Sequence, residues 1–378
     1  MANTPVVVEA VRTPQGKEDG ALAGVRSEDL SIPLVDEMVD RTGLTGEQVD
    51  DLLWGCAQQR SEQGNNVARV IALLSELGEP TPAATVNRWC ASSAEAVMRG
   101  ADAIAAGQRD CVVAGGVESM SRVEMGENMG SIHPGMSEVY NIFDLQMGMT
   151  AEKVSDRHDI SREEQDEYAA RSQQRAAAAT ESGRFAEEIV PIETDEGTVE
   201  TDEGIRPGTT AEKLAGLSPV FKSDGTVTAG NASQISDGAS ATLLASREFA
   251  RDHGLDILAE VGDHNVAGVD PTVMGIGPVP AVRGLCERYD RDPGEYDLVE
   301  LNEAFASQAL YCQRELGFDD DSYNVNGGAI ALGHPLGASG ARLPVTLVHE
   351  MNNRGADLGL ATECVGFGQG AAIEFHLA

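Results

Sequence analysis

The chain has 378 residues, more than one ordinary core accommodates, so two or three sub-domains are expected. With 62 acidic against 27 basic residues it carries a formal net charge of −35, which argues against a nucleic-acid partner. Its 41% hydrophobic content excludes a disordered acidic chain, and no apolar run is long enough for a membrane span.

Met1-Ala2-Asn3-Thr4-Pro5 leads directly into a strand over Pro5–Ala10 with no signal-peptide pattern, so a cytoplasmic protein is expected. Helices follow at Leu30–Thr42 and Val67–Leu77, with strands at Asp51–Gly55 and Cys111–Gly115. A further helix runs from Ala94 to Ala106, behind Cys90. Strands alternating with helices predict an α/β protein whose mostly parallel sheet is covered on both faces. The stretch from Val117 to Gln234 reads differently. It holds a glycine- and methionine-rich run, Met125–Met149, an acidic hairpin at Glu193–Glu203, and an alanine-rich helix over Arg162–Ser182. Ser161 is placed to cap that helix, with Glu163 and Glu164 in its first turn.

The second half repeats the first. Ile257–Val261 resembles the opening strand, and Tyr296–Asn302 echoes Val49–Gly55. Val325-Asn326 before His334 echoes Val86-Asn87 before Cys90, and Leu358–Cys364 echoes Asp110–Gly115. Four echoes in the same order predict two homologous α/β halves whose functional turns meet at a pseudo-twofold centre. Residues 1–117 with 235–256 form the first half, 257–378 the second, and 118–234 an inserted loop domain, long enough to be a lid or binding element.

Three turns carry reactive side chains. Asn326–Ala341 sets His334 in a run of glycines and small residues, where backbone can approach a ligand closely. Without GxGxxG spacing, a dinucleotide site there is a poor reading. Cys90 precedes a helix whose positive end would favour a thiolate. Cys364 lies in Glu363–Gly370. The bland alternative for each of the six cysteines is a buried small hydrophobe, and no CxxC pair suggests zinc or a disulfide framework. Asn302-Glu303 follows a strand, where parallel sheets place ligands, although Asn302 could equally be a helix cap.

Together, Asn87-Arg88-Trp89-Cys90-Ala91-Ser92, Gly115–Ser121, Asn302–Ala306, Gly333–Gly337 and Cys364–Gly368 resemble the thiolases, in order and over essentially the whole chain. The resemblance implies the thiolase fold, a homodimer or homotetramer, and acyl transfer between 3-ketoacyl-CoA and CoA. It makes Cys90 the acyl-carrying nucleophile and His334 its base. Cys364 becomes the acid/base at the α-carbon. Asn302 would hold a water that forms one oxyanion hole with His334, and the N–H groups of Cys90 and Gly366 would form the other. Covalent catalysis splits the reaction into two ping-pong steps. No metal is implied, because the thioester already acidifies the α-carbon, and coenzyme A enters as substrate rather than as a bound cofactor.

The family pattern places CoA on the loop domain. Arg206 matches the adenine- and phosphate-side arginine, and Ser233 the pantetheine contact. Met147, Ala229 and Phe305 lie in the other matching segments. Lys213 and Lys222, half of the four lysines in the chain, lie between Arg206 and Ser233 and could retain a local positive site for an anionic ligand; scattered surface charge is the alternative. Gln146 stands where biosynthetic members usually carry histidine, Ser93 replaces a usual glycine, and Ser131–Ser137 resembles the degradative 3-ketoacyl-CoA thiolases. A degradative, broader-chain enzyme is therefore the expectation. The alternatives are a biosynthetic acetyl-CoA acetyltransferase, a decarboxylating condensing enzyme, disfavoured by Cys364, or a non-catalytic, partner-dependent acyl-CoA-binding subunit. The acidic excess predicts a halophile's surface, since in molar salt the Debye length falls to about 3 Å and self-repulsion is screened.

Overall fold

The computed structural model describes residues 3–126 and 132–378. Met1, Ala2 and 127–131 lie outside the described residues, and with them part of the Met125–Met149 run and the start of Ser131–Ser137. The strands are β1 (Pro5–Arg12), β2 (Gly16–Lys17), β3 (Asp51–Gly55), β4 (Ala83–Val86), β5 (Cys111–Ser119), β6 (Ile192–Thr194), β7 (Gly197–Val199), β8 (Ser236–Ser246), β9 (Ala259–Gly268), β10 (Leu298–Leu301), β11 (Leu358–Val365) and β12 (Gln369–Leu377). All except the β6–β7 hairpin share one sheet, in the order β10-β11-β12-β9-β1-β8-β5-β3-β4, with β2 attached to β8.

Pairing directions reveal the duplication. β4, β3 and β5 are parallel neighbours, and β8 runs antiparallel between β5 and β1. Four strands of this half therefore point one way and one is reversed. In the second half β10 and β11 are parallel, and β12 is the reversed strand between β11 and β9. The halves meet where β1 pairs with β9 through only two residue pairs, Val6 with Glu260 and Val7 with Ala259. That seam is antiparallel, as a twofold relation requires. Tyr323 bridges in parallel to Val299 on β10 and so occupies the place that β4 has beside β3.

The helices make three layers around these halves. Ser27–Thr42 and Val67–Leu74 cover one outer face, packing Leu30, Leu34, Met38 and Ile71 over Leu52 and Trp54. Pro278–Cys286 and Ala306–Leu316 cover the other, through Val282, Leu285, Leu310 and Cys312. Between the halves lie Ser92–Ala105 and Leu336–Arg354, whose Val97, Met98, Leu343, Leu347 and Met351 pack against strands of both. The Leu336–Arg354 helix is buried around its circumference, so it shows no polar stripe. Its small residues permit the contact: a Cβ on Gly340 would lie 2.5 Å from the Ala94 nitrogen, and one on Gly116 would lie 2.3 Å from the Gly337 oxygen.

Several predicted boundaries move for one reason, cross-strand pairing. β1 continues to Arg12 because Val11 and Arg12 pair with Ala241 and Ser240, and β5 reaches Ser119 because β8 accompanies it throughout. In the inserted region the helix spans Arg162–Glu181, with the Ser161–Glu164 capping box formed. Arg12, fully buried, fastens this region to the first half: Nε donates to Glu188 at 2.7 Å, and Nη1 and Nη2 donate to Asp202 at 2.7 and 2.9 Å. Arg184 pairs with Glu350 of the Leu336–Arg354 helix and fastens it to the second.

Candidate active site

Cys90 sits four residues past β4, in a turn that local hydrogen bonds define. Asn87 accepts from the Trp89 N–H at 2.8 Å and donates to Ala57 O at 2.9 Å. Ser92 Oγ accepts from the Arg88 N–H at 3.0 Å and donates to Trp89 O at 2.5 Å. Trp89 holds a φ of 49°, unusual outside glycine, which turns the chain abruptly before the helix at Ser92. Cys364 lies at the end of β11, and the following Gly366-Phe367-Gly368 turn brings Phe367 to Trp89, with ring centroids 5.5 Å apart. In that arrangement the Gly366 N–H faces the Cys90 sulfur.

His334 follows the Tyr323 segment, as Cys90 follows β4. Its Nδ1 lies 2.6 Å from Ser339 Oγ, and that hydroxyl donates to Pro335 O at 3.0 Å. With its proton given to the carbonyl, Ser339 accepts from Nδ1–H and leaves the lone pair on Nε2. Asn302, fully buried one residue past β10, places Nδ2 3.3 Å from His334 Nε2. Asn302 Oδ1 has no hydrogen-bond partner among the described residues. Leu336 packs with Cys90, Ala57 and Met120, while Ala304, Phe305 and Met274 pack around Cys364. Gly366 and Cys364 thus adjoin Cys90, Asn302 adjoins His334, and Leu336, packed on Cys90 two residues past His334, joins the two groups into one candidate chamber. Cys90 keeps 9% exposure and Cys364 1%, so Cys90 is the thiol reachable from outside.

Electrostatics set the resting protonation. Burial, reinforced by Glu363, pushes the Cys90 thiol up to about 12 against the opposing N–H groups of Gly366 and Cys90 itself. The helix end does favour a thiolate, but dehydration wins, and the resting residue is a thiol. Burial and nearby Arg342 hold His334 down at about 3, so at neutral pH it is an uncharged base. Burial and the neighbouring Cys90 raise the Cys364 thiol well above its ordinary range. A thiol and a neutral imidazole are suited to move a proton only as a bond forms.

The residues expected to hold CoA line the inserted region. Met147 begins the helix Met147–Arg157 and packs, with Ala232, into the apolar group around Cys364. Phe305 meets Phe221 edge to face at 6.3 Å. The Ser233 N–H donates to Ala304 O at 3.0 Å, which sets its segment beside the Asn302 turn, and Ala229 is exposed nearby. Arg206 is exposed, and Lys213, in the short helix Ala211–Leu214, donates from Nζ to Gly208 O at 2.5 Å. Lys222, half-buried, lies 3.2 Å from Asp156 and 3.9 Å from Asp224, which share its charge. Gln146 is exposed at the start of the Met147 helix, and His133 is an exposed turn residue accepting from the Gly135 N–H.

Sequence reasoning passed over several groups that shape this chamber. Ser339, five residues after His334, could have been found from its place in the first turn of the helix. Glu118 was quoted only as part of a motif, yet it accepts from the N–H groups of Ala57, Gln58 and Gly337 and from Gln63, tying the turn after β3 to the His334 helix. Met274 and Phe221 carry no local signal.

Comparison with known proteins places the whole chain in one family. The family descriptions "Thiolase, N-terminal domain" and "Thiolase, C-terminal domain" match residues 5–248 and 255–376. A beta-ketoadipyl-CoA thiolase of Pseudomonas putida is 47% identical, over 97% of this chain and 98% of its own. A 3-ketoacyl-CoA thiolase of Vibrio vulnificus (strain CMCP6) is 48% identical, over 98% of each chain. Human mitochondrial 3-ketoacyl-CoA thiolase, solved in complex with CoA, superposes with a TM-score of 0.91 at 40% identity, covering 100% of this chain and 99% of that one. An acetyl-CoA acetyltransferase of Bacillus anthracis gives 0.91 at 41% identity, covering 99% of each. The fold, the gathered chamber and these full-length matches establish that the chain belongs to the thiolase family.

Proposed function

We propose that the chain is a degradative thiolase, catalysing 3-ketoacyl-CoA + CoA ⇌ acyl-CoA + acetyl-CoA through an acyl group on Cys90. The observation that carries this reading is the chamber itself, in which two thiols, an uncharged imidazole and a buried amide converge from four turns. His334 Nε2 takes the Cys90 proton as sulfur attacks the 3-keto carbon. The C2–C3 bond breaks, and Cys364 protonates the departing carbon to give acetyl-CoA. The thiol of a second CoA then attacks the Cys90 thioester and releases the shortened acyl-CoA. Asn302, with its free Oδ1, holds the water that completes one oxyanion site with His334, and the N–H groups of Gly366 and Cys90 serve the other. CoA lies across the inserted region of residues 118–234, with Arg206 and Lys213 toward its phosphates and Ser233, Ala229, Met147 and Phe305 along pantetheine. The reading is tested by CoA-dependent thiolysis in molar KCl, comparing acetoacetyl-CoA with longer 3-ketoacyl-CoAs. Turnover of the longer substrates is expected; turnover of acetoacetyl-CoA alone would make the enzyme biosynthetic.

The same reading extends to the setting. The net charge of −35 supports a salt-adapted cytoplasmic protein. No helix among the described residues is long and apolar enough to cross a membrane. A homodimer is supported by β4, an edge strand near the Cys90 turn whose outer groups at Ala83 and Thr85 meet the exposed Asn66 side chain, and by the exposed Leu73 and Leu74 on the neighbouring helix. Raising KCl from about 0.1 to about 2 M should raise the melting temperature by on the order of 10 °C while light scattering reports twice the 39.8 kDa chain mass. A salt-independent melting temperature would remove the salt-adaptation reading, and a monomer the dimer.

A further inference from the structure

Directly behind the two thiols lies a carboxyl group that the proposed mechanism does not use. Glu363 precedes Cys364 on β11 and is 1% exposed. Alternation along the strand turns it away from the substrate chamber and into the central helical layer. There it meets the first turns of both central helices: a Cβ on Gly340 would lie 2.6 Å from Glu363 Oε1 and 2.5 Å from the Ala94 nitrogen. One of these helices begins just after Cys90 and the other just after His334.

Neither Glu363 oxygen has a hydrogen-bond partner among the described residues. The void beside it, lined by Ala94, Gly340, Leu343, Ala371 and Ile373, has no room for the centre of a water molecule. An ionised carboxylate cannot persist dry and unpaired, so the group must carry a proton or find a cation. The nearest cation is Arg342, fully buried in the Leu336–Arg354 helix. Its Nη1 already donates to Glu300 at 3.0 Å, and its Nη2 has no partner among the described residues. Two buried carboxyls therefore draw on one guanidinium, with Glu303 and Glu188 bearing further on Glu300, so the cluster must retain protons. Burial lifts Glu300 to about 7, but Glu300 holds the direct contact with Arg342, so Glu363 is the group that keeps its proton longer. The other titratable groups around Glu363 are the thiols, Cys90 and Cys364; the side chains that face it from the Ser92–Ala105 helix and from β12 are apolar.

Resting on the thiolase reading, we propose that Glu363 is a positioning residue of this enzyme: a carboxyl, protonated at rest, whose charge state governs how readily Cys90 gives up its proton. While neutral, it lets negative charge develop on sulfur. Once ionised, it sets a like charge behind both thiols and opposes the thiolate. Burial raises the group well above the ordinary carboxyl range.

The test compares the full-length wild type with Glu363→Gln, which keeps shape and polarity but cannot ionise. The rate of Cys90 alkylation by iodoacetamide, located by peptide mass, is followed from neutral to alkaline pH beside the pH profile of thiolysis. Removing the charge should move the Cys90 curve to lower pH, leaving the variant at least about threefold more reactive than wild type on the alkaline side. A purely structural Glu363 would change amplitude without moving the midpoint, and superimposable midpoints overturn the proposal. Should Glu363→Gln not fold, Glu363→Met, which also cannot ionise, is read in the same way, and superimposable midpoints again overturn the proposal. Absence of thiolysis by the wild type would instead count against the thiolase reading, since alkylation needs no turnover.

Discussion

Cys90→Ser should abolish both thiolysis and the formation of an acyl-protein adduct, with a loss on the order of 10⁴-fold or more. His334 is held near 3 by burial, so it is a weak base on its own. It can move the Cys90 proton only because a thiol is acidic enough, and sulfur nucleophilic enough, for transfer and attack to proceed together. A serine hydroxyl is several units less acidic and keeps its proton in the same dry turn. The hydrogen bonds that shape the turn, from Asn87 and Ser92, do not involve the sulfur, so the variant should fold normally. Mass spectrometry after incubation with acetyl-CoA reads the adduct. An acylated Cys90→Ser protein would mean that another residue carries the acyl group.

Cys364→Ala should separate the two half-reactions. Acyl transfer from acetyl-CoA to Cys90 requires only the base and the oxyanion donors, so the adduct still forms. Condensation with a second acetyl-CoA needs a proton removed from its methyl carbon, and that step should slow by about 10²- to 10⁴-fold. Cys364 is packed among Ala304, Phe305 and Met274, so alanine leaves a cavity smaller than a methylthiol and the chamber keeps its walls. Normal condensation by this variant would show that a different group serves the carbon acid.

The reactive turns were legible in the sequence because each is local. Small residues around Cys90, His334 and Cys364 mark close backbone approach whatever the surrounding fold, and the four echoes between the halves required only order along the chain. What stayed hidden is long-range or collective. Arg12 meets Glu188 and Asp202 across 176 and 190 residues, and no periodicity announces such a partnership. The protonation of Cys90 depended on a contest between a helix end, which sequence shows, and the depth of burial, which it does not. Lys222 meets Asp156 from 66 residues earlier, an ion pair that no local pattern announces. Glu363 could only be read as one more acidic residue in an acidic chain until two helices closed over it.

The narrow β1–β9 seam has a consequence for how such a chain can change over time. Two residue pairs cannot hold two domains in register, so the spacing between nucleophile and base is gauged by the helices between them, at the glycine contacts of Gly340 with Ala94 and Gly116 with Gly337. The outer faces of the duplicated halves can diverge freely, exchanging one acidic surface for another. The inner faces cannot. A single methyl group there would be felt as a misplaced imidazole long before it was felt as a lost fold.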